Sequence, residues 1–264
     1  MSEARRSFAA ILVSALMVLF AMKGGRLLET LPGWDALTMA LRRIDPLAPA
    51  AVLALLEILL AGLFVFGMLR LDRDDEAAAG RSVPDWLGLA RSPVPALRLV
   101  GTALIPLYLV FAVTQPLARD VASVGVFYLA FIGPLAEEIA FRGVAFGLLR
   151  RMAGWPFWIA ALPPAIVFGL GHANPFVVSP TLDDIMTFAI TASGAFLFSW
   201  LYERWHFNLW VPVFLHAFMN FAWSLFRVGE GAFAGWLPAA MQVTSVTLAI
   251  LLTLRGTRRR RVVA

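Results

Sequence analysis

The chain contains no cysteine, which excludes disulfides, thiolate metal sites and cysteine nucleophiles. Charge is scarce as well. Asp, Glu, Lys and Arg make up 15% of the 264 residues, against about 25% in a soluble globular protein. With 60% hydrophobic residues and a mean hydropathy of +0.79, that scarcity excludes an ordinary soluble domain. It equally excludes a disordered chain, which cannot be this apolar. Lysine is nearly missing: of 22 basic residues, Lys23 alone is not Arg. The skew fits the codon usage of a GC-rich genome and suggests a bacterial cell membrane.

A net charge of +5 and a pI near 10.6 do not point to a nucleic-acid partner here. The arginines cluster beside apolar runs, where loops meet anionic lipid. The expectation is a single integral membrane domain over 1–264, with the lipid bilayer as its constant partner. Eight apolar stretches stand out, at about 8–22, 47–69, 99–117, 121–141, 154–172, 184–202, 207–226 and 233–254. An apolar helix crosses a bilayer with about 20 residues, so the fold class is all-α: a polytopic bundle of about eight transmembrane helices. Its core runs over about 121–226, a polar loop over about 71–98 and a basic tail over 255–264. Gly133-Pro134 interrupts the fourth stretch, and Pro163-Pro164 and Pro175 are expected to kink or end the fifth.

Arg5-Arg6 before an apolar run resembles a signal peptide, but no small-residue cleavage site precedes Lys23, so a retained first helix is expected. With the N-terminus inside, sixteen basic residues fall on the inner side and six on the outer. The positive-inside rule then places both termini in the cytoplasm.

A charged side chain within a span costs a few kcal/mol, so intramembrane ionisable residues are functional candidates by default. They concentrate in the second half of the chain: Glu137, Glu138 and Arg142 in the fourth stretch, His172 ending the fifth, His216 and Asn220 in the seventh. Glu138 and Arg142 lie four apart, the favourable order for an ion pair on one helix face. Glu137 points about 100° away and has no partner in its own helix. His216 and Asn220 are also four apart and would aim an imidazole and an amide at one point. They would otherwise bridge helices by hydrogen bonds. Glu57, in the second stretch, has no evident partner and is left out of the site. His206, the third histidine, falls in the Arg204-Trp205-His206 turn.

One Glu, two His and one Asn from three helices are a hydrolytic inventory. Glu137 would take a proton from water, His172 would hold that water, and His216 with Asn220 would stabilise an oxyanion. The same Glu137, His172 and His216 are alternative ligands for a catalytic zinc, although no His-Glu-x-x-His helix is present. A proton or ion path is a third reading. These boundaries leave Glu137 near the inner end of its span and His172 near the outer end of its own. A fourth helix running on to about Leu149 would bring them level.

The residues resemble a known family. Glu137-Glu138-Ile139-Ala140-Phe141-Arg142 is similar to the EExxxR motif of the CPBP (CAAX protease and bacteriocin-processing, or Abi) intramembrane proteases. Phe168 to His172 matches their FxxxH motif, and His216 to Asn220 their HxxxN/D motif, all in the family's order. The resemblance implies an eight-helix membrane fold related to the CAAX prenyl endopeptidase, and hydrolysis of a peptide bond in a membrane-associated protein or peptide. It implies water activation by Glu137 and His172 and an oxyanion site at His216 and Asn220. Glu138, Arg142 and Phe168 would support them, with no cofactor. Some members act as immunity proteins, which keeps a non-catalytic membrane role open. Residues 1–120 match no motif.

Overall fold

The long apolar runs fold as helices, because within a bilayer a backbone can satisfy its own hydrogen bonds only in a helix or a closed barrel. The computed structural model describes residues 2–72, 80–118, 123–228 and 236–262. In chain order these form α1 (Glu3–Leu28), α2 (Trp34–Arg42), α3 (Ala48–Leu71), α4 (Val83–Leu87) and α5 (Val94–Thr114). Then come a composite helix α6 over 124–151, α7 (Phe157–His172), α8 (Leu182–Arg204), α9 (Trp210–Leu225) and α10 (Trp236–Val262). No strand occurs among the described residues. Five of these helices, α1, α3, α5, α8 and α10 through Gly256, are long and apolar enough to cross a membrane. The protein is a multi-pass helical bundle.

Packing follows side-chain size. On α3, Leu55, Leu59, Leu63 and Phe66 are exposed, while Ala51, Ala54, Ala61, Val65 and Met68 are buried. Small residues inward let helices approach closely where lipid is as apolar as leucine. One core joins α1, α3, α4, α6 and α7 around Met17, Trp86, Phe146 and Leu148; a second joins α5, α9 and α10 around Leu107, Phe111 and Leu215. Thr181 and Asp184 form a capping box that starts α8.

Helix α6 positions the site and departs from the sequence boundaries. Instead of ending near 141, it runs unbroken to Arg151. Residues 121 and 122 of the expected span lie outside the described residues. Two π-helical segments, Tyr128–Ile132 and Ile139–Phe146, flank the α-helical Gly133–Glu138. Gly133 N–H bonds Tyr128 O in the wider i→i−5 register. The next donor in that register is missing, because Pro134 has no N–H, and Leu129 O is left for another partner. Gly133-Pro134 therefore reshapes the helix rather than breaking it.

The fifth stretch keeps its expected end. Pro163 and Pro164 lie inside α7, which continues to His172 and ends where Ala173 turns extended. Within the expected 71–98 loop, α4 is a short helix and α5 begins at Val94, while 73–79 lie outside the described residues. The basic tail continues α10 as helix to Val262.

The segment after α4 is fastened to the α8–α9 turn. Tyr202 Oη donates to Leu87 O at 3.1 Å, Trp210 Nε1 to Leu89 O at 3.0 Å and Asn208 Nδ2 to Ser92 O at 3.1 Å. Arg151 caps the same corner, donating to Trp86 O at 2.6 Å. Gly88 makes the approach possible: its φ is +80°, and an added Cβ would sit 1.8 Å from Phe207 O. Gly88→Ala should therefore lower stability by at least about 2 kcal/mol, since left-handed strain adds to a backbone clash. Gly80→Ala, with φ +67° and nothing within 4 Å, should lower it by about 1 kcal/mol. Thermal unfolding of both variants in detergent checks the ranking.

Candidate active site

The α-helical turn Gly133–Glu138 carries the two acids to one side of the bundle. Glu138 is fully buried, and its Oε1 accepts from two donors: Arg142 Nη1 at 3.0 Å and His216 Nδ1 at 2.9 Å. The expected i,i+4 pair is thus present and extends to a third helix. Its second oxygen, Oε2, has no hydrogen-bond partner. Arg142 is buried with it, its guanidinium 4.8 Å from the centre of the Phe168 ring and 5.4 Å from that of Phe198. Aromatic faces on the cation and a carboxylate at its fork offset the loss of water.

This trio fixes an imidazole. A carboxylate oxygen can only accept, so His216 Nδ1 carries the hydrogen and Nε2 faces away from Glu138. That Nε2 lies 3.8 Å from Glu137 Oε2. Glu137 is about one-third exposed, with its side chain 37% accessible, in contrast to Glu138 at 0%. His172 is held in a similar way: its Nδ1 donates to Phe168 O at 2.9 Å, leaving Nε2 free. The Phe168 ring stacks obliquely on the His172 ring at 4.6 Å and meets Phe141 edge-on at 5.0 Å. Phe168 is therefore a floor under both His172 and Arg142.

A cavity of about 570 Å³ opens beside these groups, lined by Glu137, Arg142, Phe168, His172, His216 and Asn220 among others. Glu137 and His172 line one cavity although the sequence boundaries put them at opposite ends of their spans, and α6 runs past 141 so that Glu137 lies mid-helix. Asn220 Nδ2 is not wholly free, since it donates to Leu129 O at 3.1 Å, the carbonyl that Pro134 leaves open. The amide keeps a second N–H. His206 stays in the α8–α9 turn. Among the described residues, no group of three or more His, Asp or Glu side chains is arranged to hold a metal ion.

Sequence reasoning left out Glu57. It is buried on α3 and lines a smaller chamber whose wall includes Glu137 and His172. An acid inside a span was the available signal, but its neighbour lay 80 positions away. Tyr128, which lines both cavities, carried no such signal.

Residues 120–222 match the family described as type II CAAX prenyl endopeptidase Rce1-like. The matched segment is less than half of the chain. It holds all three motifs and every residue of the Glu138 trio. A 91-residue stretch is 36% identical to the Bacillus subtilis (strain 168) protein named "Putative membrane peptidase YdiL"; it covers 34% of this chain and 32% of that protein. The match thus spans about a third of the length of that curated relative. No solved structure matches the chain. Over its motif-bearing segment the chain is thus similar to proteins described as membrane peptidases.

Removing one member of a buried charge trio strands the other. Glu138→Ala should destabilise the protein by about 3–5 kcal/mol, whereas Glu138→Leu with Arg142→Met should recover most of that loss. Chemical unfolding of the three proteins in micelles gives both numbers.

Proposed function

We propose that the protein is an intramembrane endopeptidase that uses Glu137 to activate water, with both chain ends in the cytoplasm of a bacterial cell. The observation that supports this most is the division of labour between adjacent acids. Glu138 is buried and committed to Arg142 and His216, while Glu137 faces an open cavity with His216 Nε2 beside it.

In this reading a peptide enters the cavity from the membrane. Glu137 takes a proton from a water that also bonds His172 Nε2, and the oxygen attacks the scissile carbonyl. Charge develops on the carbonyl oxygen. His216 Nε2, when it carries the second proton, and the spare N–H of Asn220 donate to that oxyanion. Glu137 then returns its proton to the leaving amine. Prenylated C-terminal peptides, leader peptides and C-terminal sorting tails fit the reading as substrates.

The test compares terminal peptides of the membrane proteome in cells carrying wild type or Glu137→Gln. Termini that vanish in the variant, with the protein present at normal level, support the peptidase. Unchanged termini would overturn it in favour of an immunity or transport role. Asn220→Ala should lower turnover about 10²–10³-fold, as removal of one oxyanion donor does elsewhere. Turnover should survive strong chelators. Loss on chelation, restored by zinc, would move Glu137, His172 and His216 to the role of metal ligands.

A further inference from the structure

Among the described residues, Glu57 is the acid buried within a span that none of these roles uses. It is 8% exposed, and its Oε1 is fully buried without a hydrogen-bond partner. Glu138 has Arg142 and His216, and Glu137 has His216, but no described residue gives Glu57 a hydrogen bond or an ion pair. An isolated buried carboxyl is costly and is retained where something supplies its partner.

The space beside it shows what that partner must be. Glu57 lines a chamber of about 200 Å³ that shares Tyr128, Gly133, Glu137, Phe168 and His172 with the larger cavity. It is therefore a side pocket of the reaction site. Apart from Glu57, the wall on α1 and α3 is apolar, with Ala21, Ala50 and Ala54 leaving room between Met22 and Leu53. The volume equals roughly six or seven waters at about 30 Å³ each, enough for one long side chain and too small for a peptide. Glu57 and Glu137 thus line one chamber, and no Lys or Arg among the described residues lines it with them. A positive group entering there would meet attraction from both, in a medium of low dielectric.

We propose that this chamber is a specificity subsite for a basic side chain, Lys or Arg, next to the bond that is cleaved, with Glu57 as its counter-charge. The inference rests on the peptidase reading. A backbone lying along the larger cavity with its carbonyl at Glu137 directs a neighbouring side chain into the chamber. An apolar residue there would leave Glu57 buried and unpaired, which is the means by which a buried polar group rejects the wrong ligand.

Two measurements test it. In the terminal-peptide comparison, sites that depend on Glu137 should carry Lys or Arg beside the cut, and Glu57→Gln should reduce their cleavage at least tenfold. Absence of that preference, or basic sites cut equally by Glu57→Gln, would overturn the subsite while leaving the peptidase intact. The second measurement does not need turnover. Millimolar n-butylguanidinium should raise the unfolding temperature of purified wild type, n-butanol should not, and Glu57→Gln should lose the response. No response in wild type, or an equal response in both proteins, means the chamber holds water only and overturns the proposal.

Discussion

A single buried carboxylate organises the motif-bearing part of this membrane protein. Glu138 sits where water cannot reach it and holds Arg142 on its own helix and His216 on α9 through one oxygen. Charge in a low-dielectric interior is tolerated only with such partners. Because the partners lie on different helices, the same condition fixes how α6 and α9 face each other. Arg142 then seats on Phe168 and ties in α7. The electrostatic solution for one acid thus sets the orientation of groups from three helices, and leaves its neighbour Glu137 at the cavity beside His216 Nε2.

The backbone contributes a second constraint. Tyr128–Ile132 widens to π register, and Pro134 cannot supply the next donor, so Leu129 O must find one from outside its helix. Asn220 supplies it. A residue read from sequence as an oxyanion donor therefore also anchors α9 to α6, and its amide has one hydrogen for each task. Ser14 Oγ makes a related bond to Ala145 O at 3.2 Å, within the second π segment. Irregular turns in an apolar environment persist where neighbouring side chains satisfy them.

Much of this was legible in the sequence. The lengths of apolar runs marked the helices, since spanning length and backbone satisfaction leave little choice. The Glu138–Arg142 pair followed from helical spacing alone. Phe168-x-x-x-His172 and His216-x-x-x-Asn220 marked their residues through a family resemblance. What the sequence concealed was non-local. No spacing rule links Glu138 to His216, 78 positions on, or places Glu57 beside Glu137. α6 runs past 141 because Arg142, where the apolar stretch stops, is buried and paired within the helix, and a π turn accommodates Gly133-Pro134. Pro163 and Pro164 lie within α7, which ends at His172, three residues before Pro175.

The central claim is that Glu138 fixes the hydrogen on His216 Nδ1 and turns Nε2 toward Glu137. With only three histidines in the chain, ¹⁵N shifts of a histidine-labelled sample, assigned with a His216→Gln variant, read this directly. The account predicts that neutral His216 carries its proton on Nδ1 and leaves Nε2 bare. A neutral His216 protonated on Nε2, with Nδ1 bare, would contradict it.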